Sequence, residues 1–279
     1  MVAPILSRLK KYLIADKAKH YPYPAYDISL AGNIHLHLIG SIHMASKNMF
    51  PLPQVLINKL NQCDALIVEA DITDTVPPLT NNPAIPYPPI KQRLSPALYL
   101  KFKYYCQEIK LHNEQFDSLA AWQIALILQA NQAQYLGLLP QYGIDYQLLL
   151  AARQQQKPII ELEGAASQIE LLMNLPNNGQ SLLEDTLTYW RSNARSLQIM
   201  LSWWMNFKPE LDLKLPKTFR DDVYQLLMQE RNLLWCQKLK KLPAGHYVVA
   251  VGALHLYGDN NLASLFKGYL HSRVGIHPF

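Results

Sequence analysis

The stretch Ile34-His35-Leu36-His37-Leu38-Ile39-Gly40-Ser41-Ile42-His43 decides the fold. Ile34, Leu36 and Leu38 alternate with His35, His37 and Ile39, which is the period of a β-strand, and Gly40 then ends the strand in a sharp turn. Near the other end of the chain, the buried-strand pattern Tyr247-Val248-Val249-Ala250-Val251 runs into Gly252-Ala253-Leu254-His255. Two copies of a strand followed by G-x-x-H therefore bracket the sequence. A helical pattern over 53–61, apolar at Val55, Leu56 and Leu60, leads to the short apolar run Ala65-Leu66-Ile67-Val68. These complete a strand, helix, strand unit of the kind a parallel sheet uses. The expected fold is α/β, with a central parallel or mixed sheet built from both chain ends and a large helical insertion over about residues 96–240.

Between the two ends, Val76 to Pro96 holds Pro77, Pro78, Pro83, Pro86, Pro88, Pro89 and Pro96, a density that opposes helix interior and central strand alike. It reads as a long loop or lid bordering a cleft. Helical patterns follow at about 96–112, 117–136 and 145–155, the last with Asp145 as N-cap, and then at 165–174, 180–206 and 217–240. Pro158 to Leu162 reads as a strand closing on Gly164, and the tail as a helix from Asn261 to Lys267 and a last strand from Ser272 to Ile276. His35 and His37 read as structural. Trp190, Met200, Trp203, Trp204 and Met205 fall at helical spacing and read as core. Residues 1–279 form one domain in this reading, with residues 1–25 as a basic N-terminal segment.

Composition removes several classes of function. With 49% apolar and 17% charged residues the chain has the material for a sizeable core, which disorder would lack. No run of roughly 20 apolar residues is present to span a bilayer. Of the net charge of +5, four come from residues 1–20, where Arg8, Lys10, Lys11, Lys17 and Lys19 face Asp16 alone. The body is nearly neutral, which argues against nucleic acid as a partner. No apolar stretch and cleavage site follow those basic residues, so no export signal is read and a cytoplasmic location is expected. Ile5, Leu9, Tyr12 and Leu13 instead share one face of a short helix suited to docking on the body or to weak membrane-surface attachment. Cys63, Cys106 and Cys236 are odd in number and widely spaced, which excludes a disulfide framework and suits a reducing compartment.

The chemistry-bearing residues fall at strand ends. A glycine after a buried strand lets other groups approach the backbone, and the His three residues later lies beyond the strand's carboxyl end, where open parallel sheets bind ligands. His43 and His255 would meet there if their strands are neighbours. Glu69 and Asp71 end one strand, and Glu161 and Glu163 another. Carboxylates beside imidazoles supply the hard anionic ligands, neutral nitrogens and general base that a divalent metal or an activated water requires. Glu69 and Glu163 are the chosen members of the two pairs. On its own, Arg231 reads as a solvated helix residue.

Taken together, His37 to His43, Leu66-Ile67-Val68-Glu69-Ala70-Asp71, Tyr142-Gly143-Ile144-Asp145, Ile160-Glu161-Leu162-Glu163-Gly164 with Gln168, Gln229-Glu230-Arg231-Asn232 and Val251 to Leu256 resemble the TraB/GumN family, in order and over nearly the whole chain from about Tyr26. That family is related to the Tiki metalloproteases and to pheromone-shutdown proteins, and more remotely to erythromycin esterases and ChaN-like haem-binding lipoproteins. The resemblance implies a site made of His43 and His255 with acidic residues and an arginine, which gives Arg231 a role. It points to metal-dependent hydrolysis of a peptide or small-molecule substrate, with a peptide bond as the leading target. His43, His255 and Glu69 would hold a manganese, cobalt or zinc ion, Glu163 would activate water and Arg231 would stabilise the oxyanion, with these roles interchangeable. The competing reading is a non-catalytic protein that binds a peptide, or a haem through His112, His246, His271 or His277, in the same cleft.

Overall fold

Gly32 and Asn33, with φ of 78° and 57°, reverse the chain and fold Ala25–Leu30 (β1) antiparallel onto Ile34–Ser41 (β2). Left-handed backbone at two successive residues suits a tight hairpin, and β1 is a strand that the alternation reading misses. The computed structural model describes residues 21–73, 87–205, 215–258, 260–266 and 270–273. The N-terminal helix expected around Ile5 to Leu13 and residues 76–86 of the proline-rich loop lie outside the described residues. Within the described end of that loop, a four-residue helix, Ile90–Arg93, interrupts the expected irregular chain.

Ala65–Val68 (β3), Ile159–Glu161 (β4), Gly245–Gly252 (β5) and Leu270–Arg273 (β6) complete a six-stranded mixed sheet in the order β4-β3-β5-β2-β1-β6. β4, β3, β5 and β2 are mutually parallel, while β1 pairs antiparallel with β2 and with β6. The two G-x-x-H strands are thus direct neighbours near the sheet centre. Gly40 pairs with Val251 and Ser41 with Gly252, so the motifs are offset by one residue.

Alternation divides the sheet between two apolar layers. Leu36, Leu38, Ile67, Val249 and Val251 pack with Trp235, Cys236 and Leu239 on one face. Ile39, Leu66, Val68, Val248 and Ala250 face the other way. Covering that second face are Gln54–Gln62 (α1), then, after Ile90–Arg93 (α2), Pro96–Glu108 (α3) and Ala121–Tyr135 (α4), the helix Ile144–Gln154 (α5). Ala165–Met173 (α6) and Pro176–Thr188 (α7) lead to Trp190–Met205 (α8), which also lies on this face. A third cluster, with Phe102, Ile124, Leu128, Leu183 and Trp190 at its heart, is the interior of the helical insertion. Both sheet faces are covered, as a parallel sheet requires.

Several expected elements differ in detail. The pattern at 180–206 is two helices, because the chain breaks at Tyr189. The pattern at 217–240 is Asp221–Tyr224 (α9), a π-helical turn at Gln225–Gln229 and Glu230–Leu239 (α10). The tail helix shrinks to a 3-10 turn, Ser264–Phe266, whose first N–H is accepted by Asn261 Oδ1. The last strand, expected over Ser272 to Ile276, starts two residues earlier, at Leu270, and residues 274–276 lie outside the described residues. Trp190, Met200, Trp203 and Trp204 are buried as expected, but Met205 is exposed. Asp145 is not an N-cap. Gly143 holds that position, because Ile144 N–H donates to Ile42 O at 2.9 Å and starts the helix there.

Gly143 is also where α5 meets the first G-x-x-H turn. A Cβ on it would lie 2.2 Å from the His43 carbonyl oxygen, a separation that forces backbone to move. Gly143→Ala is therefore expected to cost about 1–3 kcal/mol, the range of overpacking changes, read as a lower urea midpoint. A wild-type midpoint would show that α5 is not seated against His43.

Candidate active site

Beyond Val68, the last residue of β3, Glu69 turns its carboxylate over the neighbouring strand end. Its Oε1 accepts the Gly252 N–H at 2.6 Å, and its Oε2 accepts from Arg231 Nη2 at 2.7 Å and Gln168 Nε2 at 3.2 Å. Gly252 permits this approach, since a Cβ there would stand 3.3 Å from Glu69 Oε1. The chain leaving β4 runs alongside, with the N–H groups of Glu163 and Gly164 both donating to Glu69 O at 3.0 Å. The Glu163 carboxylate receives Arg231 Nε at 2.8 Å, Arg231 Nη2 at 2.9 Å and Trp235 Nε1 at 2.8 Å.

Arg231 is presented by the first turn of α10, directly after the π-helical turn, and its Nη1 returns to the Leu227 carbonyl at 3.1 Å. π-helical turns recur at functional sites because they redirect side chains and free backbone acceptors. The remaining Nη1 proton faces His255 Nε2 at 3.2 Å. All five guanidinium N–H groups are thereby engaged. The plane lies 4.6 Å from the Trp235 ring centroid, and the side chain is 13% exposed. Burial alone would weaken the charge of Arg231, but Glu163 and Glu69 raise its pKa further. It is a fixed cation.

His255 is buried, and Asn232 sets its tautomer. The Asn232 amide nitrogen donates to Asn260 O, so Oδ1 faces His255 Nδ1 at 2.8 Å and accepts its proton. The Nε2 lone pair then points toward Arg231. Burial lowers the His255 pKa to about 4, with Arg231 and His43 acting in the same sense against the pull of Glu69, so the ring is neutral at physiological pH. For Glu69, burial acts upward, but the charges of His255, Arg231 and His43 and the Gly252 N–H hold its pKa at about 2. Because His255 is neutral by its own balance, Arg231, His43 and the backbone N–H are the causes that operate at neutral pH.

His43 stands at the rim. Its ring nitrogen Nδ1 is 2.9 Å from Asp145 Oδ2, with the histidine side chain 61% exposed and the aspartate 6% exposed. The N–H is not aligned on Oδ2, which remains a buried acceptor without a well-directed donor. The contact is an ion pair rather than a linear hydrogen bond. The Asp145 charge is the largest cause that raises the His43 pKa to about 9, against the opposing effect of desolvation.

The structure therefore brings His43, Glu69, Glu163, Arg231 and His255 to one sheet edge and gives the two histidines different partners. Asp71 and Glu161, the carboxylates passed over in the sequence, are engaged elsewhere. Asp71 accepts from Arg153 at 2.8 Å, and Glu161 accepts the Asp71 N–H at 2.6 Å. His37 is held by Asp27 at 2.7 Å and Tyr23 at 3.0 Å. His35 bonds Ser29 at 2.9 Å and stacks on His246, with centroids 4.6 Å apart. Sequence reasoning missed Asp145, Asn232 and Trp235 as site residues. The helical spacing of Leu227, Arg231 and Trp235 on one face was the available signal for the last of these. Among the described residues, no group of three or more His, Cys, Asp or Glu has the arrangement of a metal cluster.

The profile of the TraB/PrgY/gumN family matches residues 25–269. Two proteins called Uncharacterized protein YbaP, from Escherichia coli (strain K12) and from Shigella flexneri, are each 51% identical over 264 residues, covering 94% of this chain and 99% of theirs. No solved structure matches.

Two stability measurements check the site. Neutral His255 is stabilising above pH 6.5, and that contribution is lost as pH falls from 6.5 through about 4, where the unfolded chain binds the proton more readily. Melting temperature is expected to fall across that window, with a shallower slope in His255→Gln. Arg231→Met leaves the buried Glu69 and the half-buried Glu163 without their cation and is expected to cost about 3–5 kcal/mol. Adding Glu163→Gln to it should recover part of that loss, and a fully additive pair would dissolve the coupling.

Proposed function

We propose that this chain, which belongs to the TraB/PrgY/gumN family, is a hydrolase of a carbonyl-centred bond, with the peptide bond suggested by the family resemblance as its target. The observation that carries the reading is His43, whose Nδ1 side faces the buried carboxylate Asp145 while the ring stands largely open to solvent. A carboxylate that orients an imidazole and favours its protonated form is the pairing that general acid–base catalysis uses. The neutral His43 ring takes a proton from water, the water oxygen bonds to the carbonyl carbon, and the same proton passes to the leaving nitrogen as the C–N bond breaks.

Beneath His43, Arg231 supplies a positive potential that favours the negative charge developing in such a step. With every N–H engaged, it acts through its field and not as an oxyanion donor. Glu163 accepts three N–H bonds, which engages its carboxylate as the anchor of Arg231. The water-activating role assigned to it from the sequence passes to His43.

The divalent ion implied by the resemblance, manganese, cobalt or zinc, does not fit these groups as they stand. Of its three expected ligands, His255 directs its lone pair at Arg231, and Glu69 already accepts three N–H groups. A metal beside them would also repel the guanidinium at close range. Cys63, Cys106 and Cys236 are free and buried, which supports a reducing, cytoplasmic setting. Among the described residues, no helix is long and apolar enough to cross a membrane.

The test is cleavage of an internally quenched peptide library, with EDTA or with added manganese, cobalt or zinc. Activity is expected to survive EDTA and to fall ~10²–10⁴-fold in His43→Ala, the usual scale of an acid–base residue, with the variant still folded but melting lower because the buried Asp145 loses its ion pair. The rate should climb as pH rises through about 9, where His43 loses its proton, and this limb should move toward pH 6.5 in Asp145→Asn. Activity that appears only with metal would overturn the metal-free arrangement. A folded wild type inert across the library would favour the non-catalytic binding reading.

A further inference from the structure

Ser41, the second residue of the first G-x-x-H motif, is 1% exposed, and its Oγ has no hydrogen-bond partner among the described residues. Buried hydroxyls in native proteins are almost always paired, with protein or with an ordered water. The flanking carbonyls are already in use, Gly40 O by Trp204 Nε1 at 2.9 Å and Ile42 O by Ile144 N–H at 2.9 Å.

Register gives the direction of that hydroxyl. Ser41 pairs with Gly252 in parallel, and in-register neighbours project their side chains to the same face from strands roughly 4.8 Å apart. The Cβ direction of Gly252 is known, because a Cβ built there would meet Glu69 Oε1 at 3.3 Å and His255 Cδ2 at 3.7 Å. The carboxylate of Glu69 and the ring of His255 therefore occupy the space over Gly252 that its missing side chain leaves, on the face toward which Ser41 projects. Two residues on, the chain carries His43. An unpaired buried hydroxyl, an ionised carboxylate and a proton-transfer histidine thus converge on the end of one strand pair.

We infer that Ser41 positions the water consumed in the reaction. Its hydroxyl donates to the water oxygen, and Glu69 Oε1, through the lone pair that Gly252 does not use, accepts one water proton. The other proton is left for His43. A single water is the occupant that a hydroxyl at 1% exposure calls for, since two to four polar partners satisfy it. The inference rests on the hydrolase reading, and it makes the serine of G-S-x-H a positioning residue that acts through the water, not a nucleophile.

The experiment compares wild type with Ser41→Ala and Ser41→Thr in the peptide-cleavage assay, with thermal melting and a high-resolution crystal structure of each. Ser41→Ala is expected to lower kcat about 10- to 100-fold, in keeping with loss of positioning, while KM stays within about twofold as an interaction with water and not substrate implies. Melting temperature should hold, and Ser41→Thr, which keeps the hydroxyl, should restore most of the rate. The wild-type crystal should show an ordered water on Ser41 Oγ that is absent from Ser41→Ala. An unimpaired Ser41→Ala enzyme, or covalent labelling of Ser41 by a fluorophosphonate, overturns this inference and leaves the hydrolase reading intact. A wild type inert on every peptide overturns both.

Discussion

Arg231 is the group on which the candidate site depends. Two carboxylates brought side by side away from water repel each other, and a cation with matching donors between them offsets that repulsion. The Arg231 guanidinium does this with all five N–H groups in use, three on Glu69 and Glu163, one on a backbone carbonyl and one on His255. A lysine would carry the same charge but could not bridge two carboxylates in one plane. The carboxylates in turn come from different strand ends, Glu69 after β3 and Glu163 after β4. The salt bridge therefore ties α10 to two parallel strands at once.

That arrangement sorts the two G-x-x-H histidines into different states. His255 lies within reach of the guanidinium and is shielded from water, so both effects keep it neutral. His43 lies farther out, against a carboxylate that pairs with no arginine among the described residues, and its preferred state is charged. The same tripeptide spacing after two adjacent strands thus yields one imidazole fixed by Asn232 and Arg231 and another free to exchange protons with solvent. Position relative to a single buried cation, not the motif, separates the roles.

The sheet was legible because β2, β3 and β5 carry alternating or continuous apolar patterns and glycine stops, and these signals belong to the strands themselves. Glu69 and Glu163 were legible for the same reason, since each follows a strand end. β1 carries the same kind of signal, with Tyr26, Ile28 and Leu30 alternating with Asp27 and Ser29 ahead of the turn residues Gly32-Asn33, and it is missed only because the reading starts at Asn33. Asp145 was misread for a physical reason as well. An aspartate near a helix start resembles a cap in any single sequence, and only the long-range bond from Ile144 to Ile42 moves the helix start to Gly143. Ser41 was invisible, because a small hydroxyl residue at a strand end carries no pattern until its neighbour's register is known.

The helical insertion is part of the site and not an addition to its edge. Adjacent residues of α8 hold the two motifs: Trp204 Nε1 donates to Gly40 O at 2.9 Å, and the Trp203 ring stacks at 4.3 Å on Tyr257, two residues beyond His255. Neighbouring side chains on a helix diverge by about 100°, so this pair reaches one turn with each ring. α5 contributes Asp145 to His43, and α6 contributes Gln168 to Glu69. His43, Glu69 and Glu163 are accordingly each fixed by a residue of the insertion, α10 included. A sheet made of the chain ends alone would bring the two histidines to neighbouring strands and leave their protonation to solvent. The inserted helices are what give the two rings different chemistry.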